Sequence, residues 1–150
     1  MAYAEDTRVP VDKSLAEIVA LVKKAGAARV AQIEEPDSFA VQFFLADRMI
    51  RFRVSVPAID PSGRVGVHGT AAGMQASYEK RQRQRARALL LVIKAKLESV
   101  ESQVETFEEA FLANIVMADG ATLYERLAEP ISLEYREGKP MPMLLAGPSA

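Results

Sequence analysis

Five cationic side chains lie in a segment of eight residues near the start of a predicted helix. They are Lys80, Arg81, Arg83, Arg85 and Arg87. Guanidinium and ammonium groups neutralise phosphates, so this cluster predicts salt-dependent binding to nucleic acid. Cations oppose the positive end of the helix dipole, and stability alone therefore does not explain their placement. Two other interpretations stay open: a solvated helix end, or ion pairs with carboxylates from residues 98–109 of a neighbouring subunit.

Two more arginines, Arg51 and Arg53, alternate on a predicted strand beside Phe44. Arginine and aromatic groups on an open sheet face can stack unpaired bases, which would extend the basic surface. The alternative is an ordinary exposed strand on which one phenylalanine packs under a loop. The predicted nucleic-acid-binding residues are therefore Lys80, Arg81, Arg83, Arg85, Arg87, Arg51 and Arg53, with DNA and RNA both open.

The sequence offers no recognisable catalytic constellation. Cysteine is absent, and the single histidine, His68, has Asp60, Ser62 and Thr70 near it but no triad or metal spacing. The glycines at 63, 66 and 69 form neither a Walker loop nor a dinucleotide fingerprint. We predict a non-enzymatic protein with no catalytic residues and no cofactor. A site assembled from distant Asp, Glu, Lys or Ser residues stays open, and a pocket around residues 60–70 would indicate one.

Charge is distributed unevenly along the chain although the net charge is −1. Residues 78–97 carry seven Lys or Arg against one Glu, and residues 98–138 carry ten Asp or Glu against two Arg. Glu98, Glu101 and Glu105 share one helix face, but no histidine accompanies them, so a solvated face is predicted and no metal. The two blocks predict a dipolar molecule.

Helical signals begin and end the chain. A capping box of Ser14 and Glu17 starts a first helix that ends near Gly26. A long helix over residues 78 to about 103 carries a heptad-like seam, which predicts either core or a dimer contact. Other apolar residues of this helix, among them Leu91 and Val92, predict that the middle of the helix is buried on more than one side. The seam consists of Ala86, Leu90, Ile93, Leu97, Val100 and Val104.

Two shorter helices follow. Thr106 and Glu109 form a second capping box, before a stripe of Phe107, Phe111, Leu112 and Ile115. A turn at Asp119 and Gly120 leads to a helix over residues 122–129, which Pro130 is expected to stop.

A strong β-hairpin is predicted over residues 38–56, after a weaker strand at 29–33. A two-residue turn of Asp47 and Arg48 would place every apolar residue opposite another apolar residue. The predicted pairs are Leu45 with Ile50, Phe43 with Phe52, Val41 with Val54, and Phe39 with Val56. The opposite face, with Gln42, Phe44, Arg51 and Arg53, is expected to meet solvent or a ligand.

With 150 residues, 49% of them hydrophobic, the chain is expected to form one α+β domain whose helices cover one sheet face. A flexible N-terminal arm, a flexible loop at about 58–77 and a flexible tail at about 139–150 are predicted. The longest apolar run, residues 88–93, is far shorter than the roughly 20 residues of a membrane span. We therefore expect a cytoplasmic protein that does not enter membranes.

The stretch RARALLLVIKAKLESVESQVETFEEAFL, residues 85–112, resembles a family of small uncharacterised bacteriophage and prophage proteins. The helix ending near Gly26 and the segment RFRVSVP, residues 51–57, are similar to the N-terminal half of that family. The resemblance covers most of the chain outside the arm, loop and tail, and it lies in helix and strand patterning. It implies a phage-linked origin, hence a host-cell cytoplasm, and adds no reaction.

The resulting hypothesis is a phage-linked accessory protein that contacts nucleic acid without catalysis. The alternative is a protein-interaction module, either an inhibitor of a host protein or a homo-oligomeric adaptor. Methionine suits adaptable contacts, and the apolar tail residues Met141, Met143, Leu144 and Leu145 would serve that alternative.

Overall fold

The computed structural model describes residues 7–56 and 71–142. Over these residues the fold is α+β, as predicted, with an antiparallel sheet of three strands in sequence order and three helices packed on one of its faces. The elements are α1 (Val11–Lys24), β1 (Ala28–Glu35), β2 (Ser38–Leu45), β3 (Arg48–Ser55), α2 (Ala71–Glu101), α3 (Phe107–Phe111), a 3-10 turn (Leu112–Asn114) and α4 (Leu123–Glu137).

The hairpin of β2 and β3 forms, but the predicted register is wrong by two residues. Leu45 pairs with Arg48 and Phe43 pairs with Ile50, so the turn consists of Ala46 and Asp47. Both turn residues have positive φ, 50° and 59°, which matches the strand twist in two-residue hairpins. A shift of two residues keeps the same side chains on the same face. Alternation therefore identified the core face correctly without identifying the pairs.

Replacing Ala46 by glycine is expected to raise the free energy of unfolding by about 1 kcal/mol. An alanine Cβ is strained at positive φ, whereas glycine adopts this conformation freely. Ala46 is exposed, so little packing is lost. Urea denaturation would measure the change. Ala25→Gly is the matched control, because Ala25 has a φ of −75° and should gain nothing.

The core lies between the sheet and the helices α1, α2 and α3. Residues Ala86, Leu90 and Ile93 of the predicted seam are buried in it, which makes this part of the seam core. Val104 is 76% exposed and Val92 is 45% exposed, so the predicted burial of the middle of α2 on a second side is wrong at Val92. The fully buried apolar centre consists of Leu15, Ile18, Val22, Val41, Phe43, Ile50, Val56, Ala86, Ile93 and Phe111.

Three predicted helix boundaries are wrong. Helix α1 begins at Val11, after Pro10, so Ser14 is not its N-cap but a buried residue inside the helix. Helix α2 begins at Ala71 and takes in residues 71–77, which were predicted as loop. Helix α4 continues through Pro130 to Glu137. Residues 1–6, 57–70 and 143–150, which hold the rest of the predicted arm, loop and tail, lie outside the described residues.

The capping predictions are otherwise confirmed. Thr106 caps α3 reciprocally with Glu109, and hydrogen bonds from Thr106 lower the pKa of the Glu109 carboxyl. Gly26 follows α1 with a φ of 102°. Thr122 and Glu125 form a further capping box at the start of α4, which the sequence analysis had missed despite its T-x-x-E spacing. Leu112 is exposed, so it does not belong to the buried stripe of α3.

Strand β1 forms an edge of the sheet. Seven of its eight residues are exposed and only Val30 is half-buried. In the part of the chain that the structure describes, β1 pairs with β2 alone, through a register irregularity between Ala28 and Ala31. Arg29, within that irregularity, has a φ of 52°. The other edge, β3, is partly covered because Ile115 bridges to Ile50.

Across the two described ranges, no helix has the length and apolar character needed to cross a membrane.

Candidate nucleic-acid interface

Two contacts fix the basic segment of α2, residues 80–87, against one end of the sheet. The Tyr78 hydroxyl donates to the Pro36 carbonyl in the β1–β2 turn, at 2.7 Å. About two turns further along, the Arg85 guanidinium donates to the Ser55 carbonyl at the end of β3. Because a carbonyl carries no net charge, the Arg85 cation is positioned by this bond but not neutralised.

The last arginine of the cluster is neutralised within the chain. Arg87 Nη1 lies 2.7 Å from Glu17 Oε2 of α1, and their side chains are 29% and 39% exposed. This ion pair ties α2 to α1 across the helical layer. Arg87 is therefore the predicted site residue that is least suited to a phosphate.

The remaining three cations of the cluster lie nine to twelve residues after Ala71, the first residue of α2, so the predicted opposition to the helix dipole, which is confined to the first turn, does not apply to them. Lys80 is exposed, whereas Arg81 and Arg83 are half-buried. The Arg81 guanidinium lies 5.8 Å from the centroid of the Tyr78 ring, in a cation–π contact. Arg83 Nε has no hydrogen-bond partner among the described residues. Lys80, Arg81, Arg83 and Arg85 thus lie on consecutive turns of one helix, with Arg83 and Arg85, two residues apart, on different sides of it.

Arg51 and Arg53 lie on the sheet face opposite the core, as predicted, but both are held by the protein. Arg51 donates to Gln42 Oε1 at 3.1 Å and to the Gly120 carbonyl at 2.9 Å. Arg53 lies 3.0 Å from Glu35, and this carboxylate also accepts from the Ser38 hydroxyl. The Glu35 carboxylate neutralises Arg53, and two neutral acceptors occupy the Nε and one Nη of Arg51.

A cleft of about 210 Å³ opens between this sheet face and the start of α4. Arg51 and Arg53 line it together with Glu35 and Glu125, so its charges are mixed. Phe44 forms a cation–π contact with Arg29, whose guanidinium lies 5.6 Å from the ring centroid; the sequence pattern did not predict this contact.

A larger apolar groove of about 540 Å³ lies between α1, the β2–β3 turn, the end of α2 and the start of α3.

The acidic residues are distributed among separate local contacts. Glu105 accepts from the Ser99 hydroxyl and Glu98 accepts from the Ser102 hydroxyl. The Ala121 N–H and the Arg126 side chain lower the pKa of the Asp119 carboxyl at the predicted turn. No group of three or more potential metal ligands occurs within residues 7–56 and 71–142. His68 and the predicted pocket around residues 60–70 lie outside these ranges.

The fold and site define an α+β protein with a basic segment, residues 80–87 of α2, beside one end of its sheet. Comparisons with protein-family models, curated proteins and solved structures find no match to this chain.

Proposed function

We propose that this protein binds nucleic acid without catalysis, through phosphate contacts at the basic segment of α2, residues 80–87. The contacts would come from Arg83 and Arg85, with Lys80 and Arg81 on neighbouring turns. Arg87 and Arg53 are minor contributors because each is paired with a carboxylate, and Arg51 is a minor contributor because two of its nitrogens already bond to neutral groups of the protein. The proposal includes a phage-linked accessory role in the host cytoplasm, as the family resemblance implies.

The observation that carries the proposal is the state of Arg83 and Arg85. Arg85 is anchored by a carbonyl, so its charge is retained, and Arg83, whose Nε is buried without a partner, forms no ion pair among the described residues. A guanidinium fixed by one neutral contact loses less conformational entropy when a phosphate binds its remaining N–H groups. The sequence block around them also carries excess positive charge, which steers polyanions toward this end.

Replacing Arg83 and Arg85 together by glutamine is expected to weaken binding to duplex and single-stranded probes alike. Each phosphate contact contributes a slope of about −0.9 for duplex DNA in a plot of log K against log salt concentration, so the slope should fall in magnitude by about two. Fluorescence anisotropy with labelled DNA and RNA, at several salt concentrations, would measure both quantities.

The control is Lys23→Gln with Lys24→Gln, because these exposed residues at the end of α1 remove the same charge from another helix. This control should keep the wild-type slope. Equal losses in the two double variants would mean that net charge alone drives binding, and a wild-type chain that fails to bind at low salt would overturn the proposal. Circular dichroism of both variants separates lost binding from lost folding.

A second candidate function is that of a protein-interaction module with no nucleic-acid role. Helix α4 favours it, because Tyr124, Ile131 and Tyr135 are exposed on this helix. Large apolar groups grouped on one surface are typical of contact sites. The oligomeric state of the purified protein tests this candidate directly.

A further inference from the structure

Helix α4 stands largely apart from the rest of the fold. Among its fifteen residues, all of which the structure describes, only Leu123 is buried. Its main packing partner is the short 3-10 turn, and its start is held by the capping box of Thr122 and Glu125. A helix of this length normally buries one face, so α4 has an unsatisfied apolar surface.

The solvent side of α4 carries an apolar stripe of Tyr124, Ala128, Ile131 and Tyr135. The spacings of four, three and four residues place all four side chains on one line. Tyr124 is 62% exposed, Ile131 is 40% exposed and Tyr135 is 89% exposed. These are the side chains that a partner helix would cover.

We propose that the stripe is a homodimer contact, in which α4 packs antiparallel against α4 of a second copy. The spacing reads the same in both directions, with a tyrosine at each end. A twofold axis between Ala128 and Ile131 therefore sets Tyr124 against Tyr135 of the partner subunit. It also sets Ala128 against Ile131 of the partner subunit. A small residue opposite a large one lets two helices interdigitate closely, and residues related in this way satisfy the rule for an isologous contact.

Charges beside the stripe favour the same arrangement. Glu125 and Arg136 lie on one flank of the stripe, near opposite ends of α4, and both are exposed. Antiparallel pairing brings Glu125 of each copy to Arg136 of the partner subunit, which gives two symmetric ion pairs. Glu125 uses one oxygen for the cap, and Arg136 has no ion pair within the described residues.

The area is sufficient for a weak dimer. An aromatic side chain buries about 150–250 Å² when it is covered, so the stripe and its flanks would bury on the order of 400–500 Å² per copy. The total lies near the lower limit of about 1,000 Å² for specific interfaces, which is the size of a weak or transient contact. The proposed contact rests on the second candidate function, a protein-interaction module, and it identifies the partner as a second copy of the chain. It does not depend on binding to nucleic acid.

Sedimentation equilibrium of the full chain, without nucleic acid, is expected to show a monomer–dimer equilibrium. Ile131→Glu places a carboxylate at the centre of the contact and should give monomer at all concentrations. The control is Leu112→Glu, a similar change at an exposed apolar residue of the 3-10 turn, which should dimerise like the wild type. A dimer that survives Ile131→Glu, or a monomeric wild-type chain, would overturn the proposal.

A charge exchange tests the antiparallel orientation. Glu125→Arg alone and Arg136→Glu alone should each lose affinity by about tenfold, because like charges then meet twice. An equimolar mixture of these two variants should recover the dimer, because every pair is again of opposite charge. A mixture that stays monomeric would contradict this orientation. If the chain stays monomeric but α4 binds another protein in a pull-down, the homodimer proposal is wrong and the protein-interaction function still holds.

Discussion

Replacing Phe111 by alanine is expected to lower the free energy of unfolding by about 3–5 kcal/mol, the usual cost of removing a fully buried aromatic side chain. Phe111 has no exposed surface, and its ring meets Phe43 and Phe52 edge-on at 6.5 and 6.2 Å between centroids. It also stacks on Phe107 at 4.9 Å. Phe111 therefore joins the sheet to the segment that leads to α4, and chemical denaturation would measure its loss.

Two variants separate the causes of this effect. Phe111→Leu keeps most of the apolar volume and should cost about 1–2 kcal/mol, the part owed to ring geometry and shape. Phe44→Ala removes the same ring from the half-buried sheet face and should cost less than Phe111→Ala. Equal costs at Phe44 and Phe111 would show that the core does not extend through Phe111 as described.

Replacing Pro130 by alanine is expected to stabilise α4 locally by about 2–3 kcal/mol. Proline inside a helix removes the N–H that would bond to the Arg126 carbonyl, and its ring crowds that turn. Amide hydrogen exchange should therefore slow for residues 131–137. The global free energy of unfolding should rise by a similar amount, because the unfolded chain also lacks this helix.

Ser132→Ala is the matched control for this variant. It lies two residues away on an exposed part of the same helix, and its expected gain is a few tenths of a kcal/mol. Unchanged exchange in Pro130→Ala would mean that the second half of α4 is already held by other contacts.

The sequence predicted the kinds of element and the core face of the sheet, because apolar spacing reports both. It did not predict the hairpin register, since two registers that differ by two residues keep the same faces. The start of α2 was missed because residues 71–77 carry no apolar stripe. The end of α4 was missed because Pro130 outweighed a later stop signal, Gly138, which has a φ of 69° and donates to the Glu134 carbonyl.

The positive charges of the candidate site could be predicted from the sequence, but the groups of the protein that bond to them could not. A dense run of cations is visible in sequence, but the carboxylate that neutralises Arg87 comes from Glu17, 70 residues away. Likewise, Arg51 is held by Gly120, 69 residues along the chain. Such contacts depend on how helices and strands pack, and periodicity carries no information about them.

Among the described residues, the outer edge of β1 pairs with no other strand, and this affects how readily the protein aggregates at high concentration. An open strand edge can template the growth of cross-β fibres from one molecule to the next. Here the backbone departs from a regular strand at Arg29, and Glu34 and Glu35 end the strand with two carboxylates. Fibres growing from this edge would stack those carboxylates in register, and the repulsion between their like charges opposes such growth.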